Sequence, residues 1–198
     1  TAHGHSDVGF VRENNEDSFL VDEGKGIYAV ADGVGGLPFG ALASRLAVRF
    51  FASLVHDDEI CSTKEELGQI VHSVHQNVVE CGSLVGGENG IGTTFSSLRI
   101  IGERLIYGHV GDSSIFLNNG EGFCKISKNH TLGDELIDKH GPEAAHDMPE
   151  HYMHTLTRCM GQDIDFEVDL GEYSLSPGDM VLLCSDGVTN MVELSEIE

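Results

Sequence analysis

Three apolar segments of the chain each run directly into an aspartate: residues 27–31 into Asp32, 105–111 into Asp112 and 180–185 into Asp186. A carboxylate at the end of a buried strand is costly to desolvate unless it meets a cation or a hydrogen-bond donor. A single such aspartate is more often a turn or cap residue. Three of them, two within the same Asp-Gly-Val tripeptide, indicate a shared oxygen-ligand site for a hard cation such as Mg²⁺ or Mn²⁺.

A second polar group precedes the first of these segments. It consists of Arg12 and the run NNED at residues 14–17, which supplies Glu16 and Asp17. An arginine beside a metal cluster is suited to bidentate recognition of phosphate oxygens. A surface ion pair of Arg12 with Glu13 or Glu16 fits the spacing equally well.

The elements that must position these residues follow from periodicity. Residues 18–23 alternate as a strand does, and a turn at Lys25-Gly26 leads into a second strand over 27–31, which makes a hairpin. Residues 39–55 repeat apolar side chains at helical spacing, and a capping box from Thr63 to Glu66 starts a second helix.

The remainder of the chain reads as loops and short strands. The glycine-rich residues 82–92 predict a loop, the polar residues 131–154 a short helix with a mobile excursion, and residues 195–198 the start of a helix. Strands are predicted over 93–101, 104–110, 114–118, 122–126, 155–158, 166–173 and 179–184.

Two long helices between blocks of antiparallel strands predict an α+β protein. Stacking two antiparallel sheets with helices outside gives a four-layer αββα sandwich that buries every apolar face. No linker or repeat divides the 198 residues, so we expect one domain over 1–198.

Composition limits the possible partners. The 33 acidic and 11 basic residues give a formal charge of −22, a field that repels nucleic acid and anionic membranes. Five cysteines, an odd number with no Cys-x-x-Cys pair, favour reduced thiols and a cytoplasmic location.

Other catalytic classes lack their motifs. No cysteine has an arginine six residues later, as cysteine-dependent phosphatases need, and there is no phosphate-binding Gly-x4-Gly-Lys loop. The pairs His72/His75 and His151/His154 lack a nearby thiolate ligand, so a structural or solvated role is favoured over zinc. For His130 a hydrogen-bonded loop role is slightly favoured over proton donation.

The ordered motifs of the chain resemble those of the protein phosphatase 2C family of metal-dependent serine/threonine phosphatases, in its bacterial form. The matching segments, in the order of the family, are SDVGFVRENNEDS (6–18), VADGVGG (30–36), GTT (92–94), VGDS (110–113), LTRCMG (156–161) and CSDG (184–187). The resemblance covers essentially the whole chain. It implies hydrolysis of phosphoserine and phosphothreonine in proteins, by a metal-activated water and without a phosphoenzyme.

The resemblance also implies roles for individual residues. Asp32 would bridge two Mn²⁺ or Mg²⁺ ions, with the carbonyl of Gly33 on one of them, and Asp186 would bind the other. Glu16 and Asp17 would hold metal-bound waters, and Asp112 with Asp186 would hold a third, weaker cation. The catalytic residues would then be Arg12, which clamps the phosphate, Asp32 and Asp186.

The chain departs from the family pattern at three points. The last metal ligand of the family, in an Asp-Asn motif, would lie beyond residue 198, so the domain 1–198 is expected to lack the family's C-terminal portion and to bind metal weakly. Ser114 replaces the usual arginine, and Val34 stands where some members carry a histidine. The alternative function is therefore a weak or inactive phosphatase-like module that binds phosphoproteins or regulates. Phosphorylated proteins, and a serine/threonine kinase or its targets, are the implied partners.

Overall fold

The computed structural model describes residues 1–55, 61–87, 90–146, 148–164 and 166–197. Two residues of the predicted loop, Glu88 and Asn89, and Glu198 of the predicted C-terminal helix lie outside the described residues.

The described chain contains three groups of strands, and each group is followed by helices. Over the described residues the strands are β1 (Asp17–Asp22), β2 (Ile27–Asp32), β3 (Phe95–Ile101), β4 (Arg104–Val110), β5 (Ser114–Asn119), β6 (Gly122–Lys125), β7 (Asp169–Ser174) and β8 (Met180–Cys184). The helices are α1 (Gly40–Leu54), α2 (Lys64–Val85), α3 (Leu132–His140), α4 (Asp186–Thr189) and α5 (Leu194–Ile197), with short 3₁₀ turns at Pro142–His146 and Glu150–His154.

The strands form two antiparallel sheets. In the described part of the chain, one sheet has the order β1-β2-β3-β4-β7 and the other the order β6-β5-β8. Together with the flanking helices they confirm the predicted α+β sandwich. The predicted strand over 166–173 begins later, at Asp169.

Helix α2 begins where the capping box predicts and ends later than expected. The backbone N–H of Glu66 donates to Thr63 Oγ1 at 3.2 Å, and the Glu66 carboxylate accepts from the Thr63 N–H at 3.1 Å. The helix continues to Val85, so the start of the predicted 82–92 loop was placed too early. Among the described helices, none combines the length and the apolar character needed to cross a bilayer.

A second prediction, the strand over 155–158, is wrong. Leu156 forms only a single bridge with Thr131, and the segment makes two backbone hydrogen bonds, one to the first residue of α3 and one to the loop before it. These are Leu132 N–H to the Thr155 carbonyl at 2.8 Å and Thr157 N–H to the His130 carbonyl at 2.9 Å. The alternating pattern therefore reflects packing against this loop, not membership of a sheet.

Two apolar clusters hold the layers together. The larger lies between the two long helices and the five-stranded sheet, and includes Phe51 of α1, Val74 of α2 and Ile27 of β2. The smaller, around Leu98 and Ile115, joins the two sheets to each other. This packing holds the ends of the strands in place, and so it also positions the turns that follow them.

Phe51→Ala should destabilise the protein strongly. The Phe51 ring is fully buried and meets Phe95 edge to face at 5.4 Å, so truncation leaves a cavity and should cost about 3–5 kcal/mol of unfolding free energy. Phe10→Ala is the matched control, because Phe10 is fully exposed and its loss should change stability by less than about 0.5 kcal/mol. Denaturant titration measures both, and equal effects would contradict the assigned core.

Candidate active site

One cleft, with a volume of about 770 Å³, collects the residues selected from the sequence. All seven of them line it: Arg12, Glu16, Asp17, Asp32, Gly33, Asp112 and Asp186. They come from both sheets and from the loop before β1, so their convergence results from the way the two sheets are stacked.

The first hairpin sets two carboxylates side by side. Asp17 is the first residue of β1 and Asp32 the last of β2, and the antiparallel register pairs them directly. Like charges opposite each other in a sheet are destabilising. The hairpin therefore carries a repulsion that only protonation or a cation relieves.

The other two aspartates arrive through turns. Gly111 has φ +109°, a conformation that favours glycine, and a Cβ there would lie 2.7 Å from the Thr94 side chain. This tight turn carries the chain from β4 to Asp112. Asp186 begins the short helix α4, two residues after β8 ends at Cys184.

Thr94 ties the ends of β2 and β4 together. Its Oγ1 accepts a hydrogen bond from the Asp32 backbone N–H at 3.0 Å and bonds Ser113 Oγ at 2.7 Å. Its own backbone N–H donates to the Asp32 carbonyl at 2.8 Å. The positions of Asp32 and Asp112 are thus coupled through one buried hydroxyl.

Two further polar side chains orient carboxylates directly. Ser185 Oγ donates to Asp17 Oδ2 at 2.8 Å, which links the second sheet to the first hairpin. Asn190 Nδ2 donates to Asp186 Oδ2 at 3.1 Å from within one turn. We did not select Thr94, Ser185 or Asn190 as site residues, although the first two lie in the motifs GTT and CSDG.

Gly33 and Glu16 meet at the amino end of α1. A Cβ on Gly33 would lie 2.4 Å from the Gly40 backbone, so only glycine fits. The Glu16 carboxylate lies against Gly40, and Phe39 caps the helix without a side-chain hydrogen bond. The Glu16 carboxylate therefore lies beside the positive end of the helix dipole.

Burial and mutual repulsion raise the pKa of two of these aspartates. The pKa of Asp32 lies well above the usual carboxyl range, first because the group is buried and then because Asp17, Asp186 and Asp112 repel its charge. Burial, followed by repulsion from Asp186, raises the pKa of Asp112 to about 6. Full ionisation of the cluster is therefore unfavourable without a positive counter-charge.

The donor set suits a hydrated hard cation. Among the residues that the structure describes, no group of three His, Cys, Asp or Glu side chains closes a metal site by itself. The carboxylates instead face an open cleft, where Mg²⁺ and Mn²⁺ can keep part of their water shell and take one or two carboxylates each. The raised pKa of Asp32 shows that its ionised form is disfavoured beside the other carboxylates, and a cation would stabilise that form.

Arg12 is free to meet a substrate. Its guanidinium lies beside Gly35, about 3.5 Å from where a Cβ on that glycine would stand, and within the described residues it forms no salt bridge. The ion pair with Glu13 or Glu16 does not form. An exposed arginine at the rim of an acidic cleft can bind an anion that the carboxylates would otherwise repel.

The remaining histidine and cysteine candidates differ in where they lie. His72 and His75 pack against the ring of Phe166, with centroids 5.5 and 4.6 Å away. His154, which the sequence groups with His151 as a structural or solvated pair, lies in the lining of the cleft. Cys184 is buried, and burial raises its pKa to about 11, so it is a packed thiol.

Known proteins with this architecture act on phosphoproteins. A family model described as protein phosphatase 2C matches residues 5–197. Protein phosphatase PhpP of Streptococcus pneumoniae serotype 2 is 35% identical over 200 residues, which cover 97% of this chain and 80% of PhpP. The structure of the Mycobacterium tuberculosis serine/threonine phosphatase PstP/Ppp has a TM-score of 0.84 at 31% identity, covering 98% of this chain and 81% of its own.

A further solved structure contains metal. The catalytic domain of the serine/threonine protein phosphatase PstP, in complex with two manganese ions, has a TM-score of 0.82 at 29% identity. It covers 98% of this chain and 80% of its own.

Asp32→Asn should stabilise the metal-free protein while removing its response to metal. The substitution removes a buried charge that three carboxylates repel, so at pH 8 we expect a gain on the order of 1 kcal/mol, or about 2–4 °C in Tm. Because the pKa of Asp32 in the fold is raised to about 8, the gain should be small near pH 4, grow as pH rises from there, and level off once pH passes about 8.

The measurement is Tm with and without Mn²⁺. Wild-type protein should gain stability on adding Mn²⁺, and Asp32→Asn should gain little. Glu121→Gln is the control, because it also removes one negative charge but at an exposed residue in the β5–β6 turn. It should respond to Mn²⁺ as wild type does. An undiminished response of Asp32→Asn to Mn²⁺ would mean that the metal binds elsewhere.

Proposed function

The chain belongs to the protein phosphatase 2C family, and from this premise we infer that it is a metal-dependent phosphatase of phosphoserine and phosphothreonine in proteins. The observation that carries the inference is the convergence of Arg12 and the acidic residues on one cleft, where burial and neighbouring carboxylates raise the pKa of Asp32 to about 8. An anion clamp beside a cation site is what hydrolysis of a phosphate monoester requires.

The metal ligands are assigned as the motifs suggest. Asp32, the Gly33 carbonyl and Asp186 would hold two ions, Mn²⁺ or Mg²⁺, while Glu16 and Asp17 would hold their waters. Asp112 with Asp186 would hold a third ion more weakly. Bound cations of this kind lower the pKa of water and offset the charge on the phosphoryl oxygens. The two manganese ions of the related PstP domain support this number for the core.

Arg12 would bind the substrate phosphate before reaction and hold it through the transition state. A guanidinium presents a planar pair of donors that matches two phosphate oxygens. The same charge offsets the repulsion between the incoming phosphate and the carboxylates of Asp17 and Asp32, so binding and orientation come from one side chain.

Direct attack by water fits the side chains of the cleft better than a covalent intermediate. Cys159 lines the cleft, but burial raises its pKa to about 11, so its thiol stays protonated near neutral pH. Ser185 donates its hydroxyl hydrogen to Asp17. Solvent ¹⁸O should therefore enter phosphate in one step without a trappable phosphoenzyme.

The partners are phosphorylated proteins. A kinase of the same signalling system, or its targets, would supply them, and the charge of −22 disfavours nucleic acid and anionic membranes. A cytoplasmic location stays a prediction from the unpaired cysteines.

The assay that tests the function compares an aryl phosphate with a phosphothreonine peptide, each with and without Mn²⁺. Release of phosphate from both, dependent on metal and lost on chelation, is the expected result. Binding of the phosphopeptide without any release would instead support the inactive-module alternative.

Arg12→Ala should chiefly raise KM, because a phosphate clamp acts in both the ground state and the transition state. A charge-assisted contact contributes about 1.5–3 kcal/mol, so kcat/KM should fall by a factor of about ten to a hundred or somewhat more. Arg12→Lys should recover part of the loss, since it keeps the charge without the planar donor pair.

Arg104→Ala is the matched control, because Arg104 is an exposed arginine of β4 whose guanidinium pairs at 2.9 Å with Glu172 of the edge strand β7. It should leave the kinetics unchanged. Wild-type KM in Arg12→Ala would remove Arg12 from the site.

A further inference from the structure

Two buried histidines grip the peptide of Gly111, which directly precedes Asp112. The Gly111 N–H donates to His130 Nδ1 at 3.0 Å, and the Gly111 carbonyl lies 3.0 Å from His109 Nε2. The same carbonyl accepts from the His130 backbone N–H at 2.8 Å. Both imidazoles are more than nine-tenths buried, and neither has a role in the chemistry described above.

The hydrogen bonds define the state of each ring. His130 Nδ1 accepts a hydrogen bond, so it carries no proton and the ring must be neutral, with its hydrogen on Nε2. His109 Nε2 donates to Gly111, which leaves Nδ1 to accept from Ser96 Oγ at 2.8 Å. Burial, the largest cause, lowers the pKa of both rings, to about 3 for His109, in agreement with this assignment.

A carboxylate from a distant strand sets the orientation of His130. Asp169, on β7, accepts from His130 Nε2 at 3.1 Å, and its other oxygen accepts from Arg158 Nη1 at 3.1 Å. The guanidinium of Arg158 also donates to the Glu167 carbonyl at 3.2 Å. Asp169 therefore has a partner on each oxygen, and its charge is balanced by Arg158.

We propose that Asp169 and His130 are positioning residues for the cation that Asp112 binds. The pair holds the backbone N–H of Gly111 through the hydrogen bond to His130 Nδ1. Because Gly111 has a left-handed φ, its backbone conformation then sets the direction in which Asp112 leaves the turn. A carboxylate–histidine pair often orients a metal ligand directly, whereas here it acts one residue away, through the backbone. The inference rests on the proposed function, in which Asp112 holds the weaker third ion.

The effect should be confined to that ion. Asp32 and Asp186 have contacts that do not involve His130: the Asp32 backbone N–H donates to Thr94 Oγ1, and Asn190 Nδ2 donates to Asp186 Oδ2. Losing the His130 side chain removes the bond to the Gly111 N–H, while the bonds to the Gly111 carbonyl remain, so the turn to Asp112 is loosened and the contacts of Asp32 and Asp186 stay in place. A purely structural role would instead weaken every site in step with the stability of the fold.

The test is equilibrium Mn²⁺ binding, with free Mn²⁺ counted by electron paramagnetic resonance. In His130→Leu and Asp169→Ala, the dissociation constant of the weakest ion should rise about 10- to 100-fold, while the tighter ions keep their affinity. Turnover of an aryl phosphate should recover at high Mn²⁺ with KM unchanged. His130→Asn should restore binding, because its side-chain oxygen can occupy the position of Nδ1 and accept from Gly111.

Glu172→Ala is the control on the same strand, since it breaks only the exposed pair with Arg104 and should bind Mn²⁺ as wild type does. Unchanged affinity of the weakest ion in both test variants, or equal weakening of all ions, would overturn the proposal.

Nitrogen-15 NMR of the wild-type histidines checks the same geometry without any variant. His130 should be neutral with Nδ1 unprotonated at pH 7, and a charged ring or a proton on Nδ1 would also overturn the proposal. The two proposals can fail separately. If the wild-type protein binds Mn²⁺ but releases no phosphate, and the variants lose only the weakest ion, the proposed function is refuted and the positioning role stands.

Discussion

The repulsion among carboxylates at the ends of the strands is the constraint on which the rest of the structure depends. Asp17 and Asp32 are paired by register, and Asp112 and Asp186 are brought to the same cleft from two other strands. Nothing in the apolar layers favours such an arrangement. The sandwich supplies the free energy that keeps these groups together, and the divalent cation that we propose would supply the charge that makes the arrangement favourable.

The polar contacts around the cleft follow from this constraint. A repelled carboxylate moves away unless its backbone or its own oxygens are held, and each aspartate has a holder of a different kind. Thr94 holds the backbone of Asp32, Ser185 holds a carboxylate oxygen of Asp17, and the histidine pair holds the peptide before Asp112. These holders are neutral in themselves or paired, so they fix geometry without adding further charge to the cleft.

Sequence patterns predicted the parts of the molecule that are local. An aspartate at the end of an apolar strand, the capping box of α2 and the first hairpin each depend on a few consecutive residues. The mistakes arose where a residue type serves a distant contact. Gly82 reads as a loop signal, but it lies inside α2. Glycine is present there because a Cβ would lie 2.8 Å from the Ile91 side chain. The pair of His130 with Asp169 has no local signature, because β7 reaches β4 only through sheet pairing.

Diffraction at the manganese edge, from crystals grown with Mn²⁺, tests most directly whether the aspartates of the cleft bind divalent cations. We expect anomalous peaks within about 2.6 Å of carboxylate oxygens of Asp32 and Asp186, with a weaker peak beside Asp112. Peaks confined to other carboxylates, or a cleft that stays without anomalous signal at millimolar Mn²⁺, would contradict this expectation.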